Sequence, residues 1–344
     1  LNLDTPSVTP SENFNVVLYT GTGSTNAITG VGFQPDFVWI KNRASAYGHQ
    51  LYDAVRGVSK KLLTNNANAE TTDTTALTAF GSDGFTVVSN VGVNNNTNAH
   101  VAWCWKAGTT TSGTTSGSGT GKAYSASYNA SAGFSIITYL GNGTGGHAIP
   151  HHLSKAPEIV IMKRRTGGDN GWPLGTVQSL ASIDFNKVGY LENTEAWSDD
   201  NEFNDTNPTS SVFTTSTSAS SNVNDSPYIA YCFHSVEGHS KIGSFEGNGN
   251  ADGTFVYTGF RPSFVMIKSI DSTSAWQIFD SKREGYNVDN DVLEADAAAS
   301  ETTTDYIDLL SNGFKCRTTS DPNIAESYLF YAVAEQPFKH SNGR

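Results

Sequence analysis

The sequence predicts an all-β protein made of three tandem β-sandwich repeats of the jelly-roll or lectin-like kind. Two observations favour this class. Thr (38), Ser (38), Asn (30) and Gly (33) make up about 40% of the 344 residues, and these residue types suit strands and turns better than helix interiors. A set of short apolar segments also recurs three times along the chain, which indicates a repeated structural unit.

The first recurring segment consists of a proline, a polar residue, four apolar residues and a lysine. It occupies residues 35–41, 157–163 and 262–268. Proline at the entry to a strand removes no ladder hydrogen bond. A continuous apolar run of this length is typical of a strand that is covered on both faces. We therefore predict one such strand in each repeat.

A second recurring segment, rich in aromatic residues, closes each repeat. It is centred on Cys104, Cys232 and Ala332, which follow the prolines by 69, 75 and 70 residues. About 100 residues per repeat is enough for a sandwich with its own core. The even spacing therefore favours three repeats over a chance similarity.

The repeats and the segments between them divide the chain into five parts. We expect an N-terminal arm over residues 1–13, repeat one over 14–108, a Thr/Ser/Gly linker over 109–132, a diverged repeat two over 133–236 and repeat three over 237–344. Thr, Ser and Gly without core-forming residues are typical of a flexible coil. Repeat one is therefore expected to move, whereas a short junction should hold repeats two and three rigidly.

The charge and the cysteines narrow the possible partners. A net charge of −12 and a pI near 5.0 disfavour nucleic acid and anionic membrane surfaces. The apolar runs are much shorter than the roughly 20 residues of a membrane helix, so we expect no membrane insertion.

Three scattered cysteines are typical of a reducing compartment, and we interpret them as buried, inert thiols.

Three residues align just after the lysine of the first recurring segment and are the candidate ligand-binding residues: His49, Trp172 and Trp276. Exposed aromatic rings at such a place could stack on the faces of sugars. The alternative is that they pack in a core or between repeats.

Catalytic and metal-binding patterns are weak. His147 and His151 have a spacing that a metal could use, but exposed loop variation is the favoured interpretation. Carboxylates are plentiful near residues 192–205, and a glycosidase would need two of them held about 5 to 10 Å apart, which the spacing does not indicate. We expect no metal site, no cofactor and no catalytic residue, so the chain is not predicted to be an enzyme.

Four segments together carry a resemblance to a known family: residues 32–43, 51–57, 82–85 and 101–108. They resemble the tandem-repeat β-sandwich domain of uncharacterised virion and tail proteins of tailed phages, often marine ones. The resemblance implies a non-catalytic structural protein of the virion surface, synthesised in the bacterial cytoplasm, either a tail fibre or adhesin or a capsid-decorating protein. Other virion proteins and host-surface glycans are the implied partners, with a homo-oligomer such as a trimer. The alternative is a tail-associated enzyme that degrades polysaccharide.

Overall fold

The structure, a computed structural model, describes residues 8–168, 170–180, 182–283, 287 and 291–337. This part of the chain consists almost entirely of β-strands and connecting loops, so the predicted all-β class is confirmed. Its helical segments are a 3-10 turn at Pro10–Glu12 and a single α-helical turn, α1, at Val91–Asn94. Neither of these described helices is long enough to cross a membrane. The first seven residues of the predicted arm lie outside the described residues.

The strands fall into three consecutive groups, which we name units 1, 2 and 3. Unit 1 contains β1 (Phe14–Thr20), β2 (Asn26–Ile28), β3 (Phe37–Asn42), β4 (Gln50–Asp53), β5 (Lys60–Leu63), β6 (Thr71–Thr72), β7 (Leu77–Gly81), β8 (Gly84–Val87) and β9 (Ala99–Trp105). Unit 2 contains β10 (Thr109–Thr114), β11 (Ser116–Gly117), β12 (Ala123–Asn129), β13 (Phe134–Leu140), β14 (His147–Pro150), β15 (Ile159–Arg164), β16 (Pro173–Gln178), β17 (Ile183–Tyr190), β18 (Ser198–Asp199), β19 (Val212–Thr215) and β20 (Pro227–Phe233). Unit 3 contains β21 (Ser240–Glu246), β22 (Phe255–Tyr257), β23 (Phe260–Ser269), β24 (Gln277–Asp280), β25 (Asp291–Glu294), β26 (Thr302–Thr303), β27 (Ile307–Leu310), β28 (Gly313–Cys316) and β29 (Ser327–Pro337).

Each unit contributes one large and one small antiparallel sheet. The large sheets have the strand orders β1-β9-β3-β4-β5-β6 in unit 1 and β21-β29-β23-β24-β25-β26 in unit 3. Unit 2 has the corresponding order β13-β20-β15-β16-β17-β18, and β12 and β10 continue its sheet beyond β13. The small sheets are β2-β8-β7, β11-β14-β19 and β22-β28-β27. The same strand order thus recurs in the three large sheets.

Side chains on alternate positions of each large sheet enter two different cores. In β3, Val38 and Ile40 lie in the core between the large and the small sheet of unit 1, whereas Phe37 and Trp39 lie in a core to which all three units contribute. The equivalent strands β15 and β23 alternate in the same way. The prediction of strands covered on both faces is therefore confirmed, and the second cover is the neighbouring units.

Aromatic rings meet across every pair of units in this central core. The ring centroids of Phe37 and Tyr231 lie 4.7 Å apart between units 1 and 2, and those of Phe233 and Tyr331 lie 5.0 Å apart between units 2 and 3. Phe14 contacts Phe264 between units 1 and 3, with a centroid distance of 5.8 Å. The three large sheets therefore surround one shared core.

The prediction of a flexible linker over residues 109–132 is wrong. Residues 109–114 form β10, which pairs with β12 in an uninterrupted antiparallel register, and β12 pairs with β13. Thr favours strands, and β12 is anchored because Ala126 is buried in the core of unit 2. Unit 1 is also held by the central core, so the expected mobility of repeat one is corrected as well.

The pairing of β10 predicts an alternating pattern of amide hydrogen exchange. Thr115 N donates to Lys122 O at 2.8 Å, so by the antiparallel register the amides of Thr111 and Gly113 point towards β12, whereas those of Thr110 and Ser112 point away. We expect slow exchange at Thr111 and Gly113 and fast exchange at Thr110 and Ser112, measured by NMR at low protein concentration. Fast exchange at all four amides would indicate a coil instead.

Candidate functional site

The three residues predicted as ligand contacts are fully buried. Trp172, Trp276 and His49 have relative exposures of 0%. They lie beside the first residue of β16, β24 and β4, where the large sheet of one unit meets the next unit. A ring without exposed surface offers no face to a sugar, so the expectation of exposed aromatic residues is corrected. Packing between the units is the role that their contacts indicate.

Each tryptophan donates a hydrogen bond to the main chain of the preceding unit. Trp172 Nε1 donates to the carbonyl of Leu63 in unit 1 at 3.0 Å. Trp276 Nε1 donates to the carbonyl of Tyr190 in unit 2 at 2.9 Å. The two acceptors are the equivalent residues of their units, at the ends of β5 and β17. Unit 2 is therefore hydrogen-bonded to unit 1 in the same way as unit 3 is hydrogen-bonded to unit 2.

His49 completes this series between unit 1 and unit 3. Its imidazole lies near the backbone of Glu294, at the end of β25, the position equivalent to Leu63 and Tyr190, but its Nε2 is buried without a hydrogen-bond partner. Its Nδ1 accepts a hydrogen bond of 2.9 Å from Trp39 Nε1. Unit 1 therefore packs on unit 3 as unit 2 packs on unit 1 and unit 3 on unit 2. The three similar interfaces form a closed ring.

The lysines that end the recurring apolar segments form a second series. Lys41, Lys163 and Lys268 have side chains without exposed surface. Each ammonium group donates to carbonyls of its own loop and to one carbonyl of the neighbouring unit: Lys41 to Ala298 (3.1 Å), Lys163 to Ala67 (2.6 Å) and Lys268 to Thr194 (3.3 Å). Burial lowers the pKa of Lys41 and Lys268 to about 8. A buried charge is tolerated only when its donors are engaged, and these carbonyls provide that engagement.

Ion pairs reinforce two of the three interfaces. Glu70 of unit 1 binds Arg165 of unit 2 through two hydrogen bonds of 2.9 Å. Glu301 of unit 3 binds Arg43 of unit 1, with contacts of 2.6 and 2.9 Å. In both pairs the glutamate N–H also donates to the arginine carbonyl, at 3.0 and 2.9 Å. The side chains and the main chain thus join the units at the same place.

The interface between units 2 and 3 replaces this ion pair with apolar residues. Trp197 N donates to the carbonyl of Ile270 at 3.1 Å, which is the equivalent main-chain bond. The ring of Trp197 lies 6.3 Å from that of Trp276. Both Trp197 and Ile270 are buried, so this interface depends on packing where the other two use charge.

Two buried aspartate–arginine pairs lie beside the central core. Asp53 binds Arg56 at 2.5 Å, and Asp280 binds Arg283 at 2.6 Å, with all four side chains at 0% exposure. Each aspartate also accepts a hydrogen bond from another unit: Tyr231 Oη to Asp53 (2.8 Å) and Trp103 Nε1 to Asp280 (3.0 Å). The charged groups of these two pairs are therefore engaged with one another and with neighbouring units.

The histidines predicted to be exposed loop residues are buried. His147 lies between Thr115 and Asn222, with Nε2 2.6 Å from the Thr115 hydroxyl and Nδ1 3.0 Å from Asn222 Oδ1. His151 Nε2 lies 3.1 Å from the carbonyl of Thr209. Both have 0% exposure, which corrects the prediction. Within the described ranges no group of three or more His, Cys, Asp or Glu residues is arranged to hold a metal ion.

Sequence reasoning missed three buried asparagines, Asn94, Asn222 and Asn323, each with 0% exposure. Each one joins two loops, because its Oδ1 accepts from the loop after the first strand of the recurring order: from Thr22 N (2.9 Å), Asn142 N (2.7 Å) and Asn248 N (3.1 Å). Their Nδ2 groups donate to further loop carbonyls. The available signal is an asparagine four or five residues before the closing strand of each unit.

The loops that these asparagines hold are named the tip loops, residues 21–25, 141–146 and 247–252. Their polar side chains face solvent, as at Thr22, Thr144 and Asn250. They follow β1, β13 and β21, which occupy equivalent places in the three large sheets. The tip loops are thus three exposed polar surfaces with a fixed internal support.

Replacing a buried lysine should destabilise the chain. Lys163→Met leaves the carbonyl of Ala67 without its donor, and an unpaired buried polar group costs about 1–3 kcal/mol. We expect the free energy of unfolding, measured by urea titration, to fall by about that amount. Lys155→Met is the matched control because Lys155 is exposed; equal effects of the two substitutions would contradict the role of Lys163.

Acid should destabilise the fold through its buried histidines. Burial lowers the pKa of three of them to about 4: His100, His151 and His239. Burial, followed by the charges of Lys41 and Arg283, also lowers the pKa of His49 well below its ordinary value. The unfolded chain binds these protons below about pH 6.5 and the folded chain does not, so the free energy of unfolding should fall between pH 6.5 and 4, by up to about 1.4 kcal/mol per pH unit for each histidine.

One substitution tests the contribution of His49 to this acid sensitivity. His49→Gln keeps an acceptor for Trp39 Nε1 and removes the titrating group. We expect a smaller loss of stability between pH 7 and about pH 5, measured as the urea midpoint. An unchanged pH dependence would exclude His49 as a source of the effect.

Comparison with known proteins gives one result. A family model described as a domain of unknown function (DUF7483) matches residues 9–337, a range that includes all three units and the interfaces between them. No curated protein and no solved structure shows a significant match to the chain. The chain belongs to the DUF7483 domain family.

Proposed function

We propose that this chain is a non-catalytic structural protein of a virion surface, either a tail fibre or adhesin component or a capsid-decorating protein. The closed ring of three interfaces is the observation that carries the structural role. The placement on a tailed-phage particle rests on the sequence resemblance of residues 32–43, 51–57, 82–85 and 101–108.

The ring supports a rigid building block. Unit 2 contacts unit 1 through Trp172, and unit 3 contacts unit 2 through Trp276. Unit 1 contacts unit 3 through Lys41 and Arg43. An interface that closes after three such steps relates its units by rotation about one axis. A block of this kind keeps its shape under load, which suits a particle component better than a mobile chain of domains.

The polar groups that recur between units support a non-catalytic role. Lys41 and Lys268 bind main-chain carbonyls, and Asp53 and Asp280 are paired with arginines. Side chains of these types would be needed in a cleft for acid–base or nucleophilic chemistry. Here they hold adjacent units together, so the residues that recur from unit to unit serve assembly.

The tip loops are the surface that we propose for contact with glycans or with other virion proteins. The three tip loops follow equivalent strands of the large sheets, so units related by rotation about one axis would carry them at the same end of the block. Their supporting asparagines order them before binding, which lowers the entropic cost of association. Three similar weak contacts on one rigid block also add through avidity.

The location of the protein tests the proposal. We expect antibodies raised against the purified chain to label intact particles of a tailed phage whose genome encodes it, with electron microscopy showing the label on the tail or the capsid. Unlabelled particles, with the protein found only in the lysate, would contradict the virion assignment. Particles of a phage without this gene serve as the control.

A separate assay tests the non-catalytic assignment. The purified chain is incubated with the capsular polysaccharide of the host bacterium, and new reducing ends are measured over time. We expect no release above that of heat-denatured protein. Sustained release by the native chain would instead support the polysaccharide-degrading enzyme.

A further inference from the structure

The large sheet of unit 2 ends in a strand, β10, that has no counterpart in the large sheets of units 1 and 3. The large sheet of unit 2 continues beyond β13 by β12 and then β10, and β10 is hydrogen-bonded on one side only. A groove of about 790 Å³ separates β10 and β12 from residues of unit 1 such as Gln34 and Lys106. Residues 109–114 are exposed or half-exposed, so unit 1 does not cover this edge.

The outward backbone groups of β10 belong to Thr110, Ser112 and Thr114. This follows from the register with β12, in which Thr111 and Gly113 point inwards. Among the hydrogen bonds of the described residues, none engages the outward N–H groups of these three residues. The edge therefore presents three donors and three acceptors in a regular row.

The edge strands of the other two large sheets, β1 and β21, are partly engaged within the chain. The outward N–H of Val16 in β1 donates to Asn15 Oδ1 at 2.9 Å, and that of Ile242 in β21 donates to Ser235 Oγ at 3.0 Å. Proteins commonly blunt edges with charges, proline, bulges or very short strands. Strand β10 has six residues, Thr-Thr-Thr-Ser-Gly-Thr, without charge, proline or a break in register.

We propose that β10 pairs with β10 of a second copy of this chain, antiparallel and centred on Ser112. In this register Thr110 lies opposite the Thr114 of the other copy, and Ser112 lies opposite itself. All three outward residues then form hydrogen-bonded pairs, which gives six inter-chain hydrogen bonds. A two-fold pairing of this kind uses the same surface on both copies and joins two eight-stranded sheets.

The composition of the strand favours a second copy as the occupant. Like charges directly opposite each other destabilise a strand pair, and residues 109–114 bring none to the two-fold axis. Opposed threonines are also favourable cross-strand neighbours. Each chain carries a net charge of −12, so two chains repel each other. Salt screens this repulsion. The dimer should therefore form more readily as the salt concentration rises.

Sedimentation velocity over a range of protein and salt concentrations tests the association. We expect a concentration-dependent dimer for the native chain and a monomer for Ser112→Lys at the same concentrations, a loss of at least about tenfold in affinity. Ser210→Lys is the matched control, because Ser210 is exposed and the change from −12 by +1 to −11 is the same. The lower net charge alone would strengthen association, so a selective loss in Ser112→Lys assigns the contact to β10.

Cysteine cross-linking tests the register. The native cysteines, Cys104, Cys232 and Cys316, are buried, so an introduced thiol is the one available to an oxidant. Residues in a hydrogen-bonded antiparallel pair have Cα atoms about 5.5 Å apart, within the range of a disulfide. We expect Ser112→Cys to form a disulfide-linked dimer. Thr110→Cys should not, because its own copy lies about 14 Å away along the strand.

Three results would overturn the proposal. A native chain that stays monomeric at every protein and salt concentration would exclude pairing with a second copy, and a strand of another protein would then be the candidate partner of this edge. A dimer that persists in Ser112→Lys would place the contact elsewhere on the surface. Equal cross-linking of the two cysteine variants would exclude the register centred on Ser112.

Discussion

The shared core of the three large sheets is the constraint on which the rest of the structure depends. Each large sheet has two apolar faces, and its small partner sheet covers only one of them. Burying one large apolar side chain contributes about 1.5–3 kcal/mol, so the second face needs another cover. The units supply it for one another, with aromatic contacts such as Phe37 to Tyr231 and Phe233 to Tyr331.

The polar interactions follow from that closure. Once the large sheets face one another, the lysines at the ends of their apolar strands are enclosed and need acceptors, which the next unit supplies as carbonyls. The three interfaces then differ in detail. Two carry a Glu–Arg pair, and the third carries Trp197 against Ile270. The interface between units 1 and 3 is the one where His49 replaces tryptophan, so it is expected to be the most sensitive to acid.

Sequence patterns predicted the candidate site in part. The alignment of His49, Trp172 and Trp276 identified three equivalent positions, and the structure buries all three beside the first residue of equivalent strands. Their exposure was predicted wrongly, because alignment identifies equivalent positions and carries no information on what lies across from them. The supporting asparagines were missed because the sequence does not distinguish a buried asparagine in a loop from an exposed one. Strand β10 was not predicted, because a segment of Thr, Ser and Gly is compatible with both a coil and a strand.

By itself, the sequence determined the all-β class, the strands covered on both faces and the positions that recur between units, because these depend on local composition and on spacing along the chain. Only the tertiary structure decided that residues 109–114 form a strand, that the aromatic residues are enclosed and that the units close into a ring. Those outcomes depend on pairing and packing between residues that are distant in the chain, such as Thr111 with Ala126 and Lys41 with Ala298. Burial is a property of what surrounds a residue, and the neighbours are set only when the sheets close on one another.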